Sequence, residues 1–286
     1  MKYFQILAYL LMSLHLSAQN TILWQVNHPE YETQSYLLGT FHQFGNSFVD
    51  SLPRIQESLL ASDLIIFESI DSKDELINLM NKRECTNKTE KLIGKKNYKK
   101  LKYLARNWSV DPCKLTTTEI FGKLNQELVR LKCNTSIASD EWNHFDYYLK
   151  HLSLSNNKMI KGLESDSLQL KLINEDWTVN SKRSDKNRLK QIIELMTNDK
   201  TDDFNCSIAI DYRNFILSYE FGNSCDGEGS LKFRNDNWLK DLPEDLKTQN
   251  CFVAVGLKHL MLDCGLITKL RSKGFIIKPI ELKRIQ

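Results

Sequence analysis

The sequence predicts an α/β protein with a central, mixed and largely parallel β-sheet flanked by helices, in which a helical insertion separates two βαβ-like halves. Short apolar runs that are typical of buried strands occur near both ends of the chain, as SYLLGTF and DLIIFES and later as CFVAVG and FIIKPIEL, with helical periodicity between them. From about Asp74 to Trp177 the pattern is mainly helical. The 286 residues, 41% of them hydrophobic, are enough to form a single domain over residues 19–286.

The first 18 residues are predicted to be a signal peptide. Lys2 precedes an apolar run from about Phe4 to Leu16, and the small residue Ala18 marks the expected cleavage site. A membrane anchor would need roughly 20 apolar residues, and this run is shorter. We therefore expect export to the periplasm or the extracellular space, and no stable membrane span in the mature chain.

Seven cysteines follow the predicted signal peptide, in a compartment that permits disulfides. Because seven is odd, at least one thiol stays free or pairs between chains. We expect one bridge between Cys206 and Cys225 and another between two of Cys85, Cys113 and Cys133. The sequence has no CxxC motif and no Cys near a His at zinc-finger spacing, which argues against a structural zinc site.

The first half begins with a predicted hairpin, in which TILWQV and SYLLGTF are separated by the polar segment NHPEYETQ. A helix follows, with Pro53 near its start and Ile55 and Leu59 at helical spacing. DLIIFES is a short apolar run that ends in a carboxylate, which predicts a buried strand whose carboxyl end opens on a site. Strand, helix and strand together form the first βαβ unit.

The insertion contains a basic segment, KTEKLIGKKNYKKLKYLARNW, whose apolar residues recur at helical spacing. A basic helix can bind anionic surfaces, but the spacing favours a solvated face opposite a core stripe. KMIKGLES is then predicted as a strand, and residues 168–195 as helix. In the second half we expect a surface loop at FGNSCDGEGS, the strand CFVAVG, a helix over HLMLDCGLITKLRSKG that is capped by Gly274, and a final strand, which makes a second βαβ unit.

Two segments repeat one pattern, in which an apolar strand ends in Gly and a His follows three residues later. They are LLGTFH, with Gly39 and His42, and AVGLKH, with Gly256 and His259. A Gly at a strand end permits a sharp turn or a close backbone approach, and the His then projects at the carboxyl edge of the sheet, where clefts form. A lone His is more often a hydrogen-bonded structural residue, but two at matching points favour a shared site.

Carboxylates also follow predicted strands, at Glu68 in DLIIFES and at Glu164 in KGLES. Burial of an unpaired carboxylate is costly, so either a cation or a strong donor lies nearby or the strand has reached solvent. We expect the strand of Glu68 to lie next to the one that ends at Gly39, which would bring the carboxylate into the same cleft.

In order and spacing, YLLGTFH, LP, DLIIFES, FDYYL, KGLESDSLQ, RNDNW, FVAVGLKHL and GLITKLRSKGFIIKPI resemble the TraB/GumN/Tiki family. The resemblance covers about Ile22 to Leu282, and the paired GxxH motifs, the strand-end Glu and GLES are its most diagnostic parts. It implies an α/β domain in which both GxxH motifs and the Glu form one site. For the Tiki branch, it implies metal-dependent proteolysis with a manganese- or cobalt-like cation.

The resemblance also implies roles for individual residues. His42 and His259 would be metal-site residues, Glu68 would be a ligand or the base, and the supporting catalytic candidates would be Glu164, Arg234 and Asn235. Imidazole and carboxylate ligands suit a divalent Mn, Co or Zn ion. Arg234 would stabilise an oxyanion or hold a substrate carboxylate, or else form a surface salt bridge, and Asn235 would support the site or cap a helix.

Three further positions bear on this expectation. Lys258 stands where the family usually has a small residue, and its ammonium would oppose metal binding if it pointed into the cleft. Leu262 replaces a usual Gly. The cluster Asp140, Glu141, His144 and Asp146 is predicted to be the solvated face of a helix. Only Asp146 matches a family position, with a structural role as its alternative.

These features together predict an exported metal-dependent hydrolase, a peptidase that acts on a peptide or small-molecule substrate. The alternative is a non-catalytic protein that binds a peptide or small ligand and inhibits a signal, and Lys258 favours it. A third possibility is a purely structural exported protein. The formal net charge of +3 gives little reason to expect nucleic acid as a partner.

Overall fold

The computed structural model describes residues 20–177, 182–198, 206–226 and 228–285, so the predicted signal peptide at residues 1–18 lies outside the described residues. No helix in the described part of the chain is long and apolar enough to cross a membrane. Six strands form one sheet: β1 (Leu23–His28), β2 (Tyr31–Thr40), β3 (Leu64–Phe67), β4 (Met159–Gly162), β5 (Cys251–Gly256) and β6 (Ile276–Pro279).

Thirteen α-helices surround the sheet in the described residues. They are α1 (Asn46–Asp50), α2 (Pro53–Leu60), α3 (Lys73–Asn81), α4 (Lys88–Ile93), α5 (Lys95–Leu104), α6 (Thr117–Lys132), α7 (Phe145–Ser155), α8 (Asp166–Trp177), α9 (Lys182–Thr197), α10 (Ser207–Arg213), α11 (Gly229–Trp238), α12 (Leu242–Thr248) and α13 (Leu266–Ser272). Short 3-10 turns occur at Ala105–Asn107, Pro112–Lys114 and Leu257–Leu260.

The strand order is β4-β3-β5-β2-β1-β6. Neighbouring strands among β4, β3, β5 and β2 are parallel, whereas β1 is antiparallel to both β2 and β6. The predicted α/β class with a mixed, largely parallel sheet is therefore confirmed. The β1–β2 hairpin is also present as predicted, with Leu23 opposite Leu38.

One prediction about strand neighbours is wrong, because β3 does not lie next to β2. Strand β5 lies between them, with Phe252 opposite both Tyr36 of β2 and Ile65 of β3. The physical reason is burial on both faces. Val253 packs into the core on one side of the sheet and Phe252 into the core on the other, and both are fully buried. A strand that is apolar on both faces belongs in the middle of a parallel sheet.

The helical insertion has a hydrophobic core of its own, formed by residues of α4, α5, α6, α9 and their connections. Leu101 of α5 is fully buried there, whereas Lys99 and Lys102 on either side of it are exposed. Helix α6 begins with a capping box between Thr116 and Glu119. The insertion is thus helical as predicted, and its basic helix has the expected core stripe and solvated face.

The helix predicted over HLMLDCGLITKLRSKG is shorter than expected. It begins only at Leu266, and the preceding His259 lies in a 3-10 turn. Leu262 adopts a φ of +68°, a left-handed conformation that a right-handed helix cannot contain. The end of the helix agrees with the prediction, because Gly274 follows it with a φ of +92°. The strands of the predicted second βαβ unit, β5 and β6, run parallel to each other. They are not neighbours in the sheet, because β2 and β1 lie between them.

The described residues contain three disulfides, Cys85–Cys113, Cys133–Cys206 and Cys225–Cys264, and Cys251 is free and buried. The expectation of a pair among Cys85, Cys113 and Cys133 is confirmed. The expected Cys206–Cys225 bridge is wrong, because the start of α10 lies against the end of α6. Cys133, at the end of α6, is therefore the cysteine within bonding distance of Cys206.

The left-handed backbone at Leu262 generates a stability prediction. Leu262→Gly is expected to have a higher free energy of unfolding than Leu262→Ala by about 1 kcal/mol, because only a residue with a Cβ is strained at positive φ. Urea unfolding with the disulfides intact measures both. The same pair of substitutions at Leu79, an exposed position inside α3, should show the opposite order. Equal stabilities at both positions would contradict the prediction.

Candidate active site at the carboxyl edge of the sheet

The side chains of Glu68, His42 and His259 meet around Gly256, at the carboxyl end of β5. Parallel pairing brings the ends of β2, β3 and β5 to the same edge of the sheet. A methyl group placed on Gly256 would lie 3.1 Å from Glu68 Oε1, 3.8 Å from His259 Cδ2 and 3.9 Å from His42 Nε2. The three atoms all lie within 3.9 Å of this methyl position, so the three side chains border one small space. Any side chain at position 256 would fill this space.

The Gly of the first GxxH motif supports the second motif. A methyl group on Gly39 would lie 2.7 Å from Leu257 Cδ1 and 3.2 Å from Leu257 Cα. The absence of a side chain thus lets the end of β2 pack directly against the 3-10 turn that carries His259. In addition, Tyr212 donates a buried hydrogen bond to the Gly39 carbonyl at 2.7 Å. Gly39 therefore lets the first motif pack against the second, and Gly256 leaves space for the side chains of Glu68, His42 and His259.

Glu68 is buried and fully hydrogen-bonded on one of its two oxygens. Oε2 accepts hydrogen bonds from Arg234 at 2.5 Å and from Gln169 at 2.8 Å, and Oε1 accepts the Gly256 N–H at 2.6 Å. Burial by itself raises the pKa of Glu68, but the neighbouring His259, His42, Arg234 and backbone N–H together hold it below its ordinary value. The group is therefore a carboxylate at neutral pH.

Arg234 lies between two carboxylates. Its Nε donates to Glu164 Oε1 at 2.8 Å, and its Nη2 contacts both Glu68 and Glu164. The other oxygen of Glu164 accepts the Trp238 Nε1–H at 3.1 Å. Arg234 is mostly buried, so it does not form the surface salt bridge that was one alternative. Through Nε and Nη2, the guanidinium holds Glu68 and Glu164 in place.

Asn235 determines the tautomer of His259. Asn235 is fully buried, and its Nδ2 donates to the carbonyls of His259 and Cys264 at 3.2 and 2.9 Å. Its Oδ1 must then accept from His259 Nδ1, at 2.7 Å, so the Nε2 of His259 carries a lone pair. Nε2 is 3.8 Å from Glu68 Oε1, and the two atoms are both acceptors, so no hydrogen bond joins them. Burial lowers the pKa of His259 to about 3, and the ring is neutral. Asn235 lies inside α11 (Gly229–Trp238), so the alternative that it caps this helix is wrong.

His42 has a charged partner. Its Nδ1 is 2.5 Å from Asp146 Oδ2, and Thr40 donates to Asp146 Oδ1 at 2.8 Å. Burial by itself lowers the pKa of His42, but Asp146 outweighs it and raises the pKa to about 9. The pKa of Asp146 is lowered to about 2, because the charge and hydrogen bond of His42 outweigh burial. The two residues form an ion pair at neutral pH.

The expectation that Asp146 and His144 are part of a solvated helix face is wrong. His144 precedes α7, its ring stacks on His42 with centroids 5.2 Å apart, and its Nδ1 is 3.8 Å from Asp146 Oδ2. Ligand atoms of His42, His144 and Asp146 lie within 4.8 Å of one another. Sequence reasoning also missed Gln169. Asp146 belongs to the FDYYL segment and Gln169 ends the KGLESDSLQ segment, so the family resemblance marked both positions without assigning a role to Gln169.

Lys258 is exposed, although it directly precedes the buried His259. It lines a cavity of about 190 Å³ whose other lining residues are Ser218, Glu220, Glu228, Leu231, Met261 and Leu262. None of the six predicted site residues lines this cavity. Lys258 thus lies on the exposed side of the 3-10 turn, beside this cavity.

The fold and this edge define a class, an α/β domain whose parallel strands carry His and Glu side chains into a buried, charged site. The chain belongs to the TraB/PrgY/gumN family, whose family model matches residues 22–279. The family resemblance based on the paired GxxH motifs is therefore confirmed. No similar curated protein and no similar solved structure was found.

The ion pair between His42 and Asp146 generates a pH prediction. The pKa of His42 in the folded protein, about 9, is above the unfolded value of about 6.5, so the pair stabilises the fold below pH 6.5 and this contribution is lost as pH rises to 9. Asp146→Asn should lower the pKa of His42 and remove this pH dependence. NMR titration and urea unfolding, both with a chelator present, measure the two effects. Asp245→Asn, which removes the partner of Lys161, is the control and should leave the pKa of His42 unchanged.

Proposed function

We propose that this protein is an exported, metal-dependent hydrolase that cleaves peptides at the site around Gly256. The observation that carries the proposal is the shared arrangement of the two GxxH imidazoles. Each has its Nδ1 at an acceptor, Asp146 for His42 and Asn235 for His259, and Nε2 is the ring nitrogen left for the space beside Glu68. Metal-binding histidines have this arrangement, because the acceptor at one nitrogen orients the other toward the ion.

The residue types at this site are those that bind divalent first-row cations. His42 Nε2, His259 Nε2 and Glu68 Oε1 provide two imidazole nitrogens and one carboxylate oxygen, which suits Mn, Co or Zn. Charge also supports the fit. Glu68 and Glu164 share one guanidinium, so this group carries one excess negative charge, and Asp146 would add a second once His42 releases its Nε2 proton to bind a cation. A cation at this position would reduce the cost of burying that excess charge.

When bound, the cation would lower the pKa of a water molecule and polarise a peptide carbonyl. The chain's own residues position the reaction. Arg234 and Gln169 occupy Oε2 of Glu68, so Oε1 is the atom available to hold a cation or to take a proton. Asn235 keeps the Nε2 lone pair of His259 directed into the site. Asp146 holds a proton on Nδ1 of His42, so Nε2 is the nitrogen that would release its proton and bind the cation.

Two features support export. The first 18 residues have the pattern of a signal peptide, and the three disulfides are typical of proteins outside the reducing cytosol. We propose a peptide substrate from the family resemblance. Cleavage of a peptide library would identify the preferred sequence.

The deciding experiment combines metal content with turnover. Protein purified without added metal, then loaded with Mn, Co or Zn, should bind about one ion and cleave peptides. His42→Ala and His259→Ala should each lose the ion and at least about a hundredfold in kcat/KM, since loss of a ligand should exceed the effect of an outer-shell partner. Lys258→Ala, next to His259 but exposed, is the matched control and should retain both.

Glu68→Gln separates the two roles of the carboxylate. Loss of the ion would assign Glu68 as a ligand, whereas a retained ion with lost turnover would assign it as the base. Unchanged metal content in both histidine variants would contradict the proposal. Saturable peptide binding without cleavage under every divalent cation would replace it with a non-catalytic binder.

The Cys225–Cys264 disulfide is predicted to support the site through Asn235. The Cys264 carbonyl accepts from Asn235 Nδ2, and Asn235 orients His259. Cys225→Ser with Cys264→Ser should therefore lower metal affinity by about ten- to hundredfold, as loss of an outer-shell partner does. Isothermal titration calorimetry measures the affinity. Cys85→Ser with Cys113→Ser opens a bridge of similar sequence separation, 28 against 39 residues, outside the site, and should leave the affinity unchanged. Equal losses in both variants would contradict a specific role.

A further inference from the structure

Positive charge is concentrated in the helical insertion. Residues 73–132 and 182–198 contain 20 Lys and Arg residues against 9 Asp and Glu residues, a net charge of +11. The remaining 19 basic and 27 acidic residues give −8, although the whole chain has a net charge of only +3. The protein is therefore strongly dipolar, and its overall charge hides a basic part that can interact with anionic partners.

Helix α5 carries the densest part of this charge on one exposed face. Lys95, Lys99 and Lys102 of α5 and Arg106 of the following 3-10 turn stand at spacings of four, three and four residues, on the side opposite the buried Leu101. This row, which we call the basic stripe, spans about 16 Å at the rise of an α-helix. All four of its side chains are exposed.

The three lysines of the basic stripe form no ion pair with a carboxylate of the described residues. The neighbouring Lys100 behaves differently, because it pairs with Glu194 of α9 at 2.8 Å. A set of like charges without partners repels itself, and an anionic partner would relieve this repulsion.

An exposed aromatic ring lies within the same surface. Tyr103 is 64% exposed, and the guanidinium of Arg106 lies 4.4 Å from its ring centroid. Aromatic rings with a polar tip are favoured at the boundary between headgroups and water, next to basic side chains. Two further exposed lysines, Lys91 and Lys96, widen the basic stripe into a patch.

We propose that the basic stripe and Tyr103 dock the protein on an anionic membrane surface. A convex helix face with charges spread over adjacent rows matches a plane of anionic headgroups. Single-stranded nucleic acid is usually bound in a groove with several stacking rings, and this face has one exposed ring. The acidic remainder of the chain is repelled by the same surface, so the dipole orients the protein with its insertion toward the lipid.

The test is co-sedimentation of the full mature chain with vesicles of equal parts phosphatidylglycerol and phosphatidylcholine, compared with phosphatidylcholine alone. The wild type should bind the anionic vesicles, and added salt should weaken binding. Gln at all four positions of the basic stripe should lower the partition coefficient by about a hundredfold or more.

A control variant removes the same charge elsewhere. Gln at four exposed positions of the acidic remainder, Lys240, Lys273, Lys278 and Lys283, should change the partition coefficient by less than about threefold. Urea unfolding midpoints verify that both variants are folded. The proposal is overturned by equal losses in both variants, by equal binding to uncharged vesicles, or by tighter binding to double-stranded DNA than to anionic vesicles at the same salt concentration.

Discussion

The site depends on one buried interaction, the guanidinium of Arg234 between Glu68 and Glu164. The two carboxylates stand at the ends of the neighbouring parallel strands β3 and β4, and Arg234 reaches them from α11. Without this cation, each buried carboxylate would carry a desolvation penalty of several kcal/mol. The ion pairs therefore make it possible for β3, β4 and α11 to meet at the carboxyl edge of the sheet. They also leave one negative charge in excess, which is the electrostatic basis of the proposed cation site.

The two GxxH motifs show how one sequence pattern acquires two electrostatic characters. Asp146 can neutralise an imidazolium, and it keeps His42 protonated. Asn235 carries no charge, so burial dominates at His259 and the ring stays neutral. Both partners nevertheless accept from Nδ1 and direct Nε2 of their histidine inward. The acceptor beside each ring, supplied by a different helix, decides the protonation state.

The insertion and the sheet contribute separate properties to the molecule. The insertion has its own hydrophobic core, and the Cys85–Cys113 disulfide links its segments. Its surface can therefore carry a high density of lysine without affecting the buried charges of the site. In the sheet, by contrast, almost every charged group of the site has a partner, because an unpaired charge there would be costly.

The sequence by itself determined the class of fold, the helical insertion and the ends of the strands that carry His42, Glu68 and His259. These are local properties, because apolar runs and helical periodicity report on adjacent residues. Only the tertiary structure decided that β5 lies between β2 and β3, that Cys133 pairs with Cys206, and that Asp146 and Gln169 join the site. These features depend on contacts between residues that are far apart in the chain. No local pattern encodes such contacts, since packing of the whole core selects which strand, sulfur or carboxylate becomes the neighbour.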